Sequence, residues 1–525
     1  MNPAVAQGWE ALAAGRLADA ERVFSGIVAS DPADGDALLG LAAAFWHGGH
    51  RLAAAGAARR AALTRPDHLE SRLTLGTMLR AIGNFAGALP EFEAALRLDE
   101  GNPVTLRELA AVYGFLQRPE DALRAALAAR ERDPSSAASA VCLADALLAN
   151  ERPAEAAAAY REALQRDPGA HRAATGLGRV ALERARWDDA RSAFEHALAI
   201  APGDADARYE RALLDVRYGR YAAGFAAFGA IMDTESNAAR YYYALCGVPV
   251  WDGSPLAGRR LVIASEQGLG DHVMMARFFA GLPAVGTSVT VEAPSPLLTL
   301  FERSFPSVRF IERTHLQSPA AMDVHLPIMQ LPRLFGIASE SDISGARYLR
   351  ADPRRVDAYR AMLGAEPNLR HVGIVWRGNP KHAQDRRRAA PLEHWAALAA
   401  LGGVRFHSLQ FEAGDAELDA APFPLAPAHR SIRDLDDTAA LMSALDAVVS
   451  VDTASVHVAG ALGRPVWLAN PLVGDFRWGI ARSDSPWYAG LRIARQARAG
   501  EWAPVFETIA AELSAHFARP GLPSP

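Results

Sequence analysis

Along the first two hundred positions, apolar and small residues recur with the period of paired amphipathic helices, and the same slots return every 34 residues. Ala20, Ala54, Ala88, Ala122, Ala156 and Ala190 share one phase. Phe24, Phe92, Tyr160, Phe194 and Phe228 share a second, interrupted by Ala58 and Ala126. Gly8, Gly76 and Gly178 share a third with Ala42, Ala110 and Ala144. Pro32, Pro66, Pro134, Pro168 and Pro202 keep the same register, with Glu100 in the vacant slot. The pattern predicts helix–turn–helix units. Small residues let the first helix approach the second, an aromatic ring fills the gap, and proline closes the second helix.

A helical pair every 34 residues is the period of the tetratricopeptide repeat. Six units cover residues 1–204, and a decayed seventh comes next, near Tyr209 to Met232, with Gly224 in an alanine slot, as a cap for the stack. The all-α solenoid is therefore expected over residues 1–236. Such an array offers a concave surface to an extended peptide or another protein; the alternatives are that it pairs two copies of the chain or braces the C-terminal half. Helix positions facing the groove hold Trp9, Thr77, Asp145 and Arg179, whereas Asn84, Asn102 and Asn150 fall in turns.

After Asn237 the pattern changes to short β-branched runs, each followed by glycine and a helical stretch. Strands are expected at Arg260–Ser265, Ser288–Glu292, Val308–Ile311 and Asp323–Leu326. A second set is expected at His371–Trp376, Val404–Leu409, Ala447–Val451 and Pro465–Leu468. Strands alternating with helices imply parallel sheets covered on both faces. The two sets, parted by a helix near Val356–Leu363, predict two Rossmann-like lobes with a cleft between them, the first one short. The expected boundaries are a linker over 237–257, a first lobe over 258–350 and a second lobe with a closing helix over 351–525.

Composition narrows the function. A net charge of −5 in 525 residues, with 22% charged, predicts no general affinity for nucleic acid or anionic membrane. Two cysteines, Cys142 and Cys246, exclude a disulfide framework. The Met1–Ala4 start lacks a basic, apolar leader, and no apolar run suffices for a membrane span, so a cytoplasmic protein is expected.

Three stretches carry candidate chemistry. Glu266–Asp271 (EQGLGD) follows a strand and opens a helix; Gly268 and Gly270 permit a tight turn that presents N–H groups to a polar ligand. Asp271 there places a carboxylate beside that turn and also caps the helix; the alternative is a simple N-cap aspartate. Val375–His382 (VWRGNPKH), followed by Asp385–Arg388, ends a strand in a glycine loop and a run of cations. It is suited to a diphosphate, or else is a solvated basic loop. In Ser450–His457 (SVDTASVH) a buried strand meets a helix, and Asp452, Thr453 and His457 gather at the helix start, where they can bind a phosphate together. No His/Cys/Asp spacing typical of a metal site occurs, so a metal-independent reaction is expected.

Together with DLDDTAALMSALDAVVSVDTASVHVAGALGRPVWL and SPWY, these strings resemble bacterial tetratricopeptide-repeat proteins with a C-terminal glycosyltransferase domain, over roughly Val248 to Leu513. That domain is similar to heptosyltransferases and, more distantly, to O-linked N-acetylglucosamine transferases; flagellin glycosyltransferases share the layout. The resemblance implies a GT-B fold, a nucleotide-sugar donor in the second lobe, an acceptor between the lobes, and inversion without a metal or other cofactor. It implies that Asp271 is the general base and that Asp452, Thr453, Ala454 and His457 bind phosphate, with Ala454 standing where the family has glycine. Gly268 and Gly270 join this site; Arg377, Asn379, Lys381, Arg386 and Arg388 are its candidate diphosphate ligands; Gln410 and Asp437-Thr438 are candidates for the base or ribose. The asparagine run of the O-linked N-acetylglucosamine transferases is not found along the groove. The leading reading is an inverting glycosyltransferase acting on a flagellin-like or other protein captured by the repeats. The alternative is a protein-binding scaffold whose transferase-like domain is inactive or senses a nucleotide.

Overall fold

The structure is a computed structural model describing residues 3–234, 237, 241–286, 288–313, 319–364, 366, 368–379 and 385–518. The chain forms two compact units, one of Met1–Arg211 with Gly229–Pro249, the other of Ala212–Phe228 with Val250–Pro525.

The first unit is built from antiparallel helix pairs, beginning with Pro3–Ala13 and Leu17–Ser30 and continuing to His171–Glu183 and Trp187–Ile200. The slots have the roles that their residue types predict. A Cβ on Gly8 would lie 2.6 Å from the Phe24 ring, one on Gly76 2.7 Å from Phe92 and one on Gly178 2.3 Å from Phe194, so the missing side chain makes room for the aromatic. Phe24, Phe92 and Phe194 are accordingly fully buried. The second helix of each of these pairs ends two residues before the proline slot, as at Ser30 before Pro32 and Arg166 before Pro168. Asn84 and Asn102 cap helices with their side-chain oxygens, and Asn150 binds the Pro119 and Ala146 carbonyls. Of the groove positions, Arg179 is ion-paired with Asp206 and Glu210, and Asp145 accepts from the Tyr160 hydroxyl.

The seventh pair departs from a simple cap. Its second helix, Tyr221–Ala227, is only seven residues long and belongs to the α/β unit. Tyr221 and Phe225 meet Trp487 edge-on at 6.2 and 6.3 Å, and Phe228 lies 5.8 Å from Phe476. Gly224 has a local cause, since a Cβ there would sit 2.5 Å from Val216 and 2.9 Å from the Ala212 carbonyl.

The second unit contains two parallel sheets. β1 (Leu261–Ala264), β2 (Val289–Ala293), β3 (Arg309–Glu312) and β4 (Val324–Pro327) are ordered β3-β2-β1-β4. β5 (Arg370–Val375), β6 (Val404–Ser408), β7 (Leu425–Ala426), β8 (Ala447–Val451), β9 (Val466–Asn470) and β10 (Leu491–Arg495) are ordered β10-β9-β8-β5-β6-β7. All eight expected strands are present, and the four-stranded sheet is the short lobe. β8 and β9 are buried along their whole length, as strands covered on both faces must be. Each sheet reverses direction once, between β1 and β4 and between β5 and β8. Ligands in open α/β sheets bind outside the carboxyl ends of the strands at such reversals. The loops after β1, β5 and β8 are the three stretches in which the sequence concentrates its candidate chemistry.

Candidate active site

Beyond β1 the chain turns through Ser265 and Glu266 into helix Leu269–Met275. The Gly268 N–H donates to Asp271 Oδ2 at 3.1 Å, so Asp271 does cap this helix. Its other oxygen, Oδ1, accepts from Arg477 Nη2 at 2.5 Å. Next to it, a Cβ on Gly270 would stand 2.8 Å from His457 and 3.5 Å from the Ala454 Cα. The absent side chain therefore lets this helix close on helix Ala454–Ala461, and the tight backbone approach falls at Gly270, with alanine kept at position 454.

The end of β8 supplies the facing group. Thr453 caps helix Ala454–Ala461, its hydroxyl accepting from the Ser455 N–H at 3.3 Å. Asp452 is buried, and burial followed by the nearby Asp475 carboxylate raises its pKa to about 6. His457 is 1% exposed with both ring nitrogens engaged: Nε2 lies 3.2 Å from Arg477 Nη1 and Nδ1 2.8 Å from the Tyr488 hydroxyl. A guanidinium can only donate, so Nε2 accepts and the neutral ring gives its Nδ1–H to Tyr488. Burial, then Arg477 and Arg277, pushes the imidazole well below its usual pKa, in keeping with that tautomer.

Arg477 lies in the loop after β9. Asp475 caps the short turn Phe476–Trp478 and stands 3.1 Å from Arg477 Nε. Burial opposes the charge of Arg477, but Asp475, Asp271 and Asp452 outweigh it and keep the guanidinium protonated. One side chain thus bridges the first-lobe Asp271 and the second-lobe His457.

The remaining candidates lie around the loop after β5 and along the second lobe. Arg377 forks onto Glu417 at 3.0 and 3.1 Å. Gln410 Oε1 accepts the Trp376 and Arg377 N–H groups and so holds the loop after β5. Arg388 donates to Asp385, which also receives the Gly378 N–H; Arg388 is close enough to Asp452 to favour its ionised form. Asn379 and Arg386 are exposed. Lys381 lies outside the described residues. The Asp437 carboxylate is held by Arg433 and Arg355, and the Thr438 hydroxyl donates to the Asp434 carbonyl.

Two residues of weight are not predicted by the sequence. Arg477 carries a usable signal, an Asp-Phe-Arg-Trp string just beyond a buried strand. Glu266 opens the EQGLGD motif, yet it is a wholly buried carboxyl whose oxygens accept from the Ile328 and Met329 N–H groups at 3.0 and 3.2 Å. Burial raises its pKa to about 8 against those two bonds. A carboxyl with a raised folded pKa loses its stabilising contribution as pH climbs from the unfolded to the folded value, here from about 4.5 to about 8. Glu266→Gln, neutral throughout, is expected to flatten the fall in stability across that window. Chemical denaturation at several pH values checks this, and a slope equal to that of the parent protein refutes it.

Comparison with known proteins gives matches in both halves of the chain. Tetratricopeptide-repeat families match residues 5–62, 48–103, 108–171 and 147–212. Glycosyltransferase family 9 (heptosyltransferase) matches residues 420–467, the segment that contains β8 and the His457 helix. Protein FlbA of Caulobacter vibrioides is 28% identical over 331 residues, covering 58% of this chain and 54% of FlbA, so the match spans about half of that relative. Among solved structures, a tetratricopeptide repeat protein of Parabacteroides merdae is 14% identical over 44% of this chain and 89% of its own, with a TM-score of 0.38. PilF of Pseudomonas aeruginosa is 19% identical over 40% and 96%, with a TM-score of 0.33. The chain thus carries tetratricopeptide repeats through its N-terminal region and, in its C-terminal α/β region, a segment that matches glycosyltransferase family 9. Among the described residues, no helix is long and apolar enough to cross a membrane.

Proposed function

We propose that this chain is an inverting glycosyltransferase that moves a sugar from a nucleotide-sugar to a protein acceptor, flagellin-like in kind, held by the repeats. The observation that carries this reading is the meeting of Asp271 with the Asp452–His457 turn through Arg477. The turn lies in the segment that matches a glycosyltransferase family. The repeats over 1–236 choose the acceptor, the lobe over 258–350 presents its hydroxyl, and the lobe over 351–525 holds the donor. Asp271 takes the hydroxyl proton as that oxygen attacks the anomeric carbon from the face opposite the phosphate. The carbon–oxygen bond to phosphate breaks, its electron pair stays on the phosphate oxygen, and the sugar is inverted. A protein cation stabilises the departing charge, the role that a metal ion plays elsewhere.

The test is a screen of nucleoside-diphosphate sugars and CMP-linked acidic sugars for thermal stabilisation, followed by mass spectrometry of the acceptor. One donor class is expected to raise the melting temperature and to add one sugar mass to a protein bound by the repeats. Stabilisation without transfer to any acceptor supports instead a nucleotide-sensing scaffold, and no stabilisation by any donor overturns the donor site.

A further inference from the structure

Two of the cations that the sequence offers to the departing phosphate are committed elsewhere, and a third, Arg386, is exposed. Arg377 is forked onto Glu417, and Arg388 is bonded to Asp385. His457 has no free nitrogen, since Arg477 and Tyr488 use both. Arg477 is different. Its side chain is 9% exposed and stands between Asp271 of the first lobe and His457 of the second. Its Nε makes no aligned hydrogen bond despite lying 3.1 Å from Asp475. Meanwhile both oxygens of Asp271 are occupied, one by the Gly268 N–H and one by Arg477. Each oxygen keeps a second lone pair, but Oδ1 is shared with the Arg477 guanidinium.

Resting on the donor-site reading above, we propose that Arg477 is the cation that meets the donor's leaving phosphate, and that Asp271 and the phosphate compete for it. Binding of the donor draws the guanidinium from Asp271 to the phosphate, and this frees the carboxylate as the base only when a sugar is in place to be attacked. His457 is then a positioning residue: it accepts one N–H of Arg477 and, anchored by Tyr488, aims the guanidinium. Tyr488 is fixed in turn, because a Cβ on Gly460 would fall 2.6 Å from its ring and its hydroxyl lies 3.4 Å from that of Tyr348. The device orders the reaction, donor before acceptor, and protects the base while the site is empty.

The competition is read by calorimetry on the full chain with UDP, GDP, ADP and CMP as probes, using whichever binds tightest. Asp271→Asn releases Arg477 from a half-buried charge partner, so the nucleotide is expected to bind about 3- to 10-fold more tightly than to the parent protein. Arg477→Gln is expected to weaken binding by about 10-fold or more, and the double variant to bind as Arg477→Gln does, because the carboxylate then has nothing to withhold. Unchanged or weaker binding in Asp271→Asn overturns the competition, as does tightening that persists in the double variant. Melting temperatures establish folding; Arg477→Lys, which keeps the charge but loses the fork, is the second probe and is expected to bind between the parent and Arg477→Gln. If none of the four nucleotides binds the folded parent protein, the donor-site reading itself falls. If one binds and Asp271→Asn does not tighten it, only the competition falls.

Discussion

Replacement of Asp271 by asparagine is expected to lower sugar transfer by about 10²- to 10⁴-fold, the range over which a positioned general base accelerates a reaction. The amide has nearly the volume of the carboxylate and still offers an oxygen, but it has no oxygen basic enough to hold the acceptor's proton. One of its two contacts is lost, because the NH2 group must face either the Gly268 N–H or the Arg477 guanidinium. That costs stability on the order of 1–3 kcal/mol. Transfer is therefore compared at saturating donor, with folding verified by the melting transition. A fully active, folded variant removes Asp271 as the base. Loss of transfer combined with tighter nucleotide binding is the signature that a purely structural helix cap does not produce.

The second large effect is expected at Asp436. This residue is 2% exposed in the first turn of helix Leu435–Ala444 in the second lobe, and it receives both terminal nitrogens of Arg303 from helix Leu298–Ser304 in the first. Arg355 adds a weaker contact at 3.6 Å. Removal of one partner of a buried pair leaves the other uncompensated, which costs about 3–5 kcal/mol where both are shielded. The Arg303 side chain is 24% exposed, which moves the expectation for Asp436→Ala toward the lower end, about 3 kcal/mol. Arg303→Met is expected to cost less, because Arg355 still faces Asp436. Urea unfolding of the full chain, followed through its α/β transition, checks the order of the two. Equal, small effects below about 1 kcal/mol show that this pair does not hold the lobes.

Legibility differed sharply between elements. The repeat register and eight strands were readable because each rests on a local signal, the 3.6-residue face of a helix or a short run of β-branched and aromatic residues ahead of a helical stretch. β7 and β10 were not readable, for opposite reasons. β7 has two residues, too few for any period, and β10 (Leu-Arg-Ile-Ala-Arg) mixes arginine with apolar residues and becomes a strand by pairing with β9. In the candidate site, Asp271, Thr453 and the glycines were legible as candidates because each lies at a strand–helix turn that the sequence marks locally. Arg477 was not, because its partner Asp271 lies 206 residues away, and the Asp-Phe-Arg-Trp string around it marks a loop without naming that partner.

By itself, then, the amino-acid sequence determined the repeat solenoid, the two parallel sheets and the turns in which chemistry is concentrated. Small, aromatic and β-branched residues at fixed spacings leave few ways to bury their apolar faces. Only the tertiary structure decided how the charges are spent. The sequence points to Arg377 and Arg388 and not to Arg477, but Glu417 and Asp385 claim the first two, and folding places Arg477, desolvated, between Asp271 and His457. It likewise divided the seventh helical pair, whose aromatic residues pack on Phe476 and Trp487. Ion pairing and aromatic contact act through space, so their partners are set by the fold and not by distance along the chain.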